Sequence, residues 1–273
     1  TYAGRASLRR GSDVTDVSLE DQMLAFHDQV AADHDTDRIH LLFNNAGIGG
    51  GGSFINDTRA NWEKTFNVCW GGVYYGCRAF LPMLLRADEG HIINTSSVNG
   101  FWASLGPQTA HTAYSAAKFA VKGFTEALVN DLRLNAPHLK CSVVMPGHIG
   151  TSIAANSRKV LSGNDSDTLS AEEIAAARQR MVRAGVDPAT VTDEAIQAGA
   201  AMMAKAFEEN APMTAAQAAA VILQGVRDET WRILVGEDAK RMDQMVRANP
   251  EQAYEASFFQ ELSQGVGWRL GGG

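Results

Sequence analysis

Tyr114 and Lys118 stand four residues apart, a spacing that sets a phenol and an ammonium on one face of a helix. A free tyrosine has a pKa of about 10 and keeps its proton near neutrality. A cation alongside favours the phenolate and lowers that value, which would let the oxygen give and take a proton under ordinary conditions. Ser97, in the run Asn94-Thr95-Ser96-Ser97-Val98-Asn99-Gly100, offers a hydroxyl that could hold a substrate carbonyl against the phenol. Each feature alone also has a plain structural explanation: two surface helix residues and a turn serine. The chain has no GxSxG elbow, so a serine-hydrolase nucleophile is not expected.

The elements that must position these groups can be read from hydrophobic pattern. Ile39 to Phe43 is a short apolar run ending in Asn44-Asn45-Ala46-Gly47, the pattern of a buried strand stopped by a polar turn. Residues 91–95 read as a second strand, Cys141 to Met145 as a third, stopped by Pro146-Gly147, and Trp231 to Val235 as a fourth. Helical spacing predicts Ser18 to Ala32, with Ser18 and Asp21 as a capping pattern. It also predicts Trp62 to Arg86, broken near its end by Pro82, and Ala113 to Leu134. Gly49 to Gly52 reads as a flexible loop.

Strands alternating with helices imply right-handed crossovers and an α/β fold, a parallel sheet with helices on both faces. Ligands of such sheets bind at the carboxyl ends of the strands. Asn44–Gly47, Thr95–Gly100 and Pro146–Thr151 all follow strands directly, so one shared rim site is expected rather than three. Between Thr151 and Pro212 the composition shifts to Ala, Glu, Arg and Gln, and two or three helices outside the sheet order are expected. A solvated appendage and a lid over the substrate both fit that segment.

Apolar residues at 45% and charged residues at 20% suit a chain of 273 residues with a sizeable core. The net charge of −7 argues against nucleic acid or an anionic membrane as partner, although Arg5, Arg9 and Arg10 form a small basic patch. Cys69, Cys77 and Cys141 have neither CxxC spacing nor an even count, so reduced thiols in a cytoplasmic protein are expected, with no disulfide framework and no metal site. No stretch approaches the roughly 20 apolar residues of a membrane span. Thr1 to Gly11 lacks the apolar core of a secretory signal and reads as a strand or loop cut from something longer.

Taken together the motifs resemble the short-chain dehydrogenase/reductase family. Asp13-Val14-Thr15-Asp16, Asn44-Asn45-Ala46-Gly47, Ser97, Tyr114-x-x-x-Lys118 and Pro146-Gly147 stand in family order. The likeness is close from Asp13 to about Gly150 and looser over 213–236. It implies a Rossmann-like doubly wound sheet, here N-terminally truncated, in which 1–273 form a single partial domain and 151–212 a helical lid. It also implies that Tyr114 exchanges the proton with the substrate oxygen, Lys118 lowers its pKa and binds the nicotinamide ribose, and Ser97 orients the carbonyl. Asn45, Ala46 and Gly47 would wall the cofactor ribose, while Asp13 and Val14 would meet the adenine. Pro146, Gly147 and Ile149 would flank the nicotinamide, with Thr151 near its carboxamide. The implied cofactor is NAD or NADP, the implied substrate a small hydrophobic alcohol or carbonyl compound, and the implied assembly a homo-oligomer through the two long helices, with Trp70, Tyr74 and Tyr75 suited to that surface or to a core.

The sequence departs from the family in two places. Nothing before Asp13 fits the TGxxxGxG turn that cradles a pyrophosphate, so the chain alone is expected to bind dinucleotide poorly. A fragment of a longer frame is favoured over a shortened inactive relative, because Ser97, Tyr114 and Lys118 are intact. Where the family carries an asparagine, four residues before Val73, this chain has Cys69, read as a small buried thiol. Asn67 cannot replace it, since two residues turn a helix by roughly 200°. Phe101 and Trp102 fit an apolar substrate pocket or a packed loop equally well, and His111 and His148 are given no role. The leading expectation is an NAD(P)-dependent oxidoreductase. A catalytically silent relative acting through protein contacts is the alternative, and the epimerase/dehydratase branch, which shares YxxxK, is third.

Overall fold

Four parallel strands, β1 (Leu41–Asn44), β2 (Gly90–Thr95), β3 (Leu139–Pro146) and β6 (Arg232–Val235), form one sheet in the order β1-β2-β3-β6. They are seen in a computed structural model that describes residues 11, 13–50, 52–106 and 109–266; the Arg5, Arg9 and Arg10 patch and most of the Thr1–Gly11 start lie outside them. The register pairs Ile92 with Leu42 and Cys141, and Val144 with Thr95 and Ile233. The inner strands are closed on both faces, which explains their near-continuous apolar runs.

On one face Ile92, Leu139 and Cys141 pack with Val73, Cys77 and Leu84 of α3 (Gly72–Leu85) and with Val121 and Leu132 of α4 (Thr112–Asn135). Ile93, Val144 and Val235 pack with Ala218 of α8 (Ala215–Arg227). Adjacent residues Ile92 and Ile93 thus serve different clusters, as the period of two in a strand requires. Helix α1 (Glu20–His34) packs Met23 against Phe80 and Met83 of α3. Across the layers, the Asn44 amide donates to Asn94 Oδ1 at 2.8 Å, and Asn94 donates to Thr125 Oγ1 of α4 at 3.0 Å.

The sheet stops at β1, which has no second neighbour among the described residues. Leu41 and Phe43 on that edge stay 51% and 41% exposed.

Several expectations need correction. Helix α1 starts at Glu20 with Leu19 as its N-cap and no side-chain cap; the Ser18 hydroxyl donates instead to Asp16. The long helix predicted from Trp62 is three segments: α2 (Arg59–Phe66), a π-helical stretch Asn67–Gly71, and α3. Pro82 does not break α3. It lies three residues from the end of the helix, so the single missing N–H bond disturbs only the last turn.

Residues 151–212 contain α5 (Ile153–Ser162), α6 (Ala171–Arg183) and α7 (Asp193–Glu209). Both ends of the segment are held together by a two-residue parallel pair, β4 (Ile149–Gly150) with β5 (Met213–Thr214). Helices α9 (Glu237–Ala248) and α10 (Ala256–Val266) complete the described chain. No helix among the described residues is long and apolar enough to cross a membrane.

Candidate functional site

Ser97 leaves the carboxyl end of β2 and caps a short 3-10 turn, Val98–Gly100, its Oγ accepting the Asn99 N–H at 3.1 Å. That bond is the local role a turn serine would have. Helix α4 then runs back beneath the same rim. Its start is pinned by Thr112, whose backbone N–H and hydroxyl both donate to the Gly52 carbonyl and whose hydroxyl accepts from the Trp62 indole at 3.0 Å. Close approach of β2 and α4 depends on Gly100, where an added Cβ would lie 2.8 Å from the Lys118 carbonyl oxygen. Ser96 Oγ donates to that same carbonyl at 2.7 Å.

Lys118 is 3% exposed, and its Nζ donates to the Thr95 carbonyl at 2.8 Å. The ammonium lies 5.4 Å from the centre of the Tyr114 ring. One helical turn and one strand end therefore bring Ser97, Tyr114 and Lys118 together. Gly47 joins them: a Cβ there would stand 3.5 Å from Lys118 Nζ and 3.8 Å from Cys69 Sγ. Asn45, after β1, accepts from the Thr95 hydroxyl at 3.0 Å, and Ala46 beside it is exposed. Two of the three expected motifs thus meet through Thr95 and Lys118.

The electrostatics differ from the simple expectation. Burial pushes the Tyr114 phenol up; the Lys118 ammonium pulls it down, Cys69 pushes it up and the Ser97 hydroxyl pulls it down, and burial wins. In the chain by itself the phenol is therefore a held proton, not a ready base. His111, whose ring centre is 4.7 Å from that of Tyr114, is pushed down to about 4 by burial and is neutral at pH 7. Cys69 is fully buried and donates to the Ile48 carbonyl at 3.2 Å, a thiol packed inside the π-helical stretch, while Asn67 is exposed.

The third motif lies at the end of β3. Pro146, Gly147, Ile149 and Thr151 are half-buried, and the Gly147 N–H donates to the Val235 carbonyl at 2.9 Å. Asp13 and Val14 are exposed, Val14 completely. Val17 ties their segment to the rim, packing against the cluster of Ile48, Val68, Cys69 and Ala117 on which Tyr114 also packs. Trp102 faces no substrate space: it is 1% exposed, donates to the Ala253 carbonyl at 2.6 Å, and packs with Met242, Phe258 and Leu262. Of the two readings of that loop, the packed one holds. Among the described residues no cluster of His, Cys, Asp and Glu is arranged to hold a metal ion.

Sequence reasoning missed Thr95, whose carbonyl anchors Lys118, and Asp238, whose carboxylate supports the Pro146–Ile149 turn. The Thr95 carbonyl carries no side-chain signal. Asp238 could have been noticed as an acidic residue just past Gly236 at the end of the last strand, where a helix N-terminus meets the rim.

A parallel sheet with flanking helices and polar groups gathered at its carboxyl rim defines a Rossmann-like α/β protein. The profile of the short chain dehydrogenase family matches residues 12–161, and the chain belongs to that family. SadH of Mycobacterium tuberculosis (strain ATCC 25618 / H37Rv), named as an oxidoreductase, is 38% identical over 159 residues, 58% of this chain and 55% of SadH. The 3-ketodihydrosphingosine reductase of Bacteroides thetaiotaomicron is 37% identical over 131 residues, 48% of this chain and 46% of the reductase. A short chain dehydrogenase/reductase from Burkholderia phymatum, solved in complex with NAD, superposes with a TM-score of 0.65 at 27% identity, covering 87% of this chain and 74% of that one. The chain spans about half the length of the curated relatives it matches.

Proposed function

We propose that this chain carries the proton-transfer side of an NAD(P)-dependent oxidoreductase that interconverts an alcohol with a ketone or aldehyde. The observation that carries the reading is Lys118, buried, fixed on the Thr95 carbonyl, beneath Tyr114 and beside Gly47. A buried ammonium is expensive without several partners, and the one bond to Thr95 leaves two of its protons for a ribose hydroxyl or a phenolate. The residues present fit the nicotinamide-ribose half of a dinucleotide: Asn45, Ala46 and Gly47 on one side, Pro146, Gly147, Ile149 and Thr151 on the other. When bound, a nicotinamide supplies or accepts the hydride. Tyr114 gives the proton to the carbonyl oxygen in reduction and takes it back in oxidation, and Ser97 orients that oxygen. Asp13 and Val14 are assigned to the adenine end.

The segment 151–212 acts as a lid in this reading. Ser157 of α5 accepts the Gly49 N–H at 2.8 Å, Lys64 donates to the Val160 carbonyl at 2.8 Å, and Leu161 packs into the cluster that includes Tyr114. A second copy would cover the α3–α4 face, where Trp70 stacks on Tyr74 and meets Phe124 edge-on, and where Tyr74 and Phe119 remain 40% exposed.

The test is reduction of a panel of apolar ketones and aldehydes by the chain with NADH, NADPH or reduced nicotinamide mononucleotide, the last of which needs no adenine cradle. Tyr114→Phe should lower kcat by roughly 10²-fold or more, and Lys118→Met by a similar factor with weaker cofactor binding. Turnover unaffected by Tyr114→Phe would overturn the reading. Absence of any dinucleotide or nicotinamide mononucleotide binding would favour the silent relative.

A further inference from the structure

The turn at the end of β3 is supported from behind by a single carboxylate. Asp238, in the first turn of α9, is 4% exposed. Its Oδ2 accepts the His148 N–H at 2.7 Å, and the backbone N–H groups of Ala239 and Asp238 at the start of α9 also favour the carboxylate. Two glycines bracket it. A Cβ on Gly147 would lie 2.2 Å from Oδ2, and a Cβ on Gly236, where φ is +106°, would lie 2.2 Å from Oδ1. The carboxylate therefore fills a slot that exists because both neighbours lack side chains.

Burial pushes the Asp238 carboxyl up, against the pull of the His148, Ala239 and Asp238 N–H groups. Keeping an acid there is costly, and a turn needing mere support could be packed with an apolar side chain. The far side of the same turn reaches the 151–212 segment: His148 Nε2 donates to the Phe207 carbonyl of α7 at 2.7 Å, and the two rings lie 4.5 Å apart. With the Gly147 N–H on Val235, one turn joins β3, β6, α9 and α7.

We propose that Asp238 is a positioning residue, which fixes the Pro146–Ile149 turn through the His148 N–H and thereby sets where α7 lies over the rim. It acts through the turn and touches no reacting atom. Gly147 is then required by the Asp238 carboxylate and not by the approach of a ligand. The functional weight of the turn rests on the reading above, in which it walls the nicotinamide.

Amide hydrogen exchange on the 273-residue chain tests the contact without any cofactor. In Asp238→Ala the His148 amide and its neighbours should exchange about tenfold faster or more, while Ser142–Met145 of β3 stay protected. Asp238→Asn keeps an acceptor for the His148 N–H and should remain within about threefold of the parent. Gly147→Ala drives the carboxylate off the same N–H and should reproduce the local acceleration. Should Asp238→Ala not fold, Gly147→Ala and Asp238→Asn decide. Unchanged exchange at His148, or equal acceleration across the whole sheet, overturns the proposal.

A second arm titrates reduced nicotinamide mononucleotide, which needs no adenine cradle. Binding should weaken about tenfold in Asp238→Ala and return in Asp238→Asn. Equal binding to the parent and Asp238→Ala would reduce Asp238 to a structural role. No binding to the parent, with exchange as expected, would overturn the cofactor reading and leave the contact standing.

Discussion

Replacing Asn94 by alanine tests how the site is held in place. Asn94 is fully buried. Its Oδ1 accepts from the Asn44 amide at 2.8 Å, its Nδ2 donates to Thr125 Oγ1 at 3.0 Å, and Thr125 passes its own proton to the Val121 carbonyl at 2.7 Å. One side chain thus spans β1, β2 and α4, the three elements that bear Asn45, Ser97 and the Tyr114–Lys118 pair. Asn94→Ala leaves the Asn44 amide with only the Cys77 sulfur at 3.2 Å as a weak acceptor. A buried donor so deprived costs ~1–3 kcal/mol. Thr125 keeps its proton satisfied and loses only an incoming donor, roughly 0.5 kcal/mol. The void left by the missing amide adds on the order of 1 kcal/mol.

The sum is roughly 2.5–4.5 kcal/mol, and at ~2–4 °C per kcal/mol for a chain of this size the midpoint of thermal unfolding should fall by roughly 5–18 °C. Asn94→Asp should do worse, because it sets an acceptor against a threonine oxygen whose proton is already committed. Circular dichroism melts of parent and variants at one pH measure both. A fall below about 2 °C in Asn94→Ala would refute the reasoning, since the network would then contribute almost nothing net.

Stability should also respond to pH through His111. Its folded value, about 4, lies below the unfolded value of about 6.5, so the unfolded chain binds the proton first. Its contribution is full above pH 6.5 and is lost as the pH falls from there towards 4. His111→Phe, which keeps a ring against Tyr114, should flatten that slope in urea unfolding at pH 7, 5.5 and 4.5; an unchanged slope would remove His111 as the source. The thiols should be inert: burial pushes Cys77 up to about 12 and Cys141 up to about 11, and Cys69 is fully enclosed. A disulfide reagent at pH 8 should label none of the three before unfolding and all three after it, and one fast-reacting thiol in the folded chain would contradict the packing.

The strands were legible because burial on both faces leaves continuous apolar runs, and each ended within about two residues of its predicted limits or its predicted polar turn. Helix α4 was legible for the same reason of pattern, and its YxxxK spacing placed two site residues at once. The π-helical stretch was not legible. Asn67–Gly71 carries no residue that demands it; Val17 packs where a Cβ on Gly72 would be, a tertiary contact that no local pattern announces. Pro82 shows the opposite error, a strong local breaker overridden because so little helix follows it. Helices α9 and α10 were passed over. Helix α9 sets Ala239, Met242 and Val246 against the core at helical spacing, so its pattern was legible. The downward pull of Lys118 on Tyr114 was legible from spacing, whereas the burial that outweighs it was not.

Gly147 shows how one motif position can have two physical causes. In sequence, Pro146-Gly147 stops a strand, and the family resemblance implies that it flanks the nicotinamide. In the fold, the space beside Gly147 is already occupied by Asp238, ninety-one residues further along the chain. A glycine kept for a ligand could become alanine without disturbing the unliganded chain, whereas a glycine kept for a buried carboxylate could not. Gly147→Ala therefore separates the two causes before any cofactor is added. If His148 exchange stays unchanged in that variant, the space belongs to the ligand; if it accelerates, the rim is set by α9 and the ligand inherits its shape.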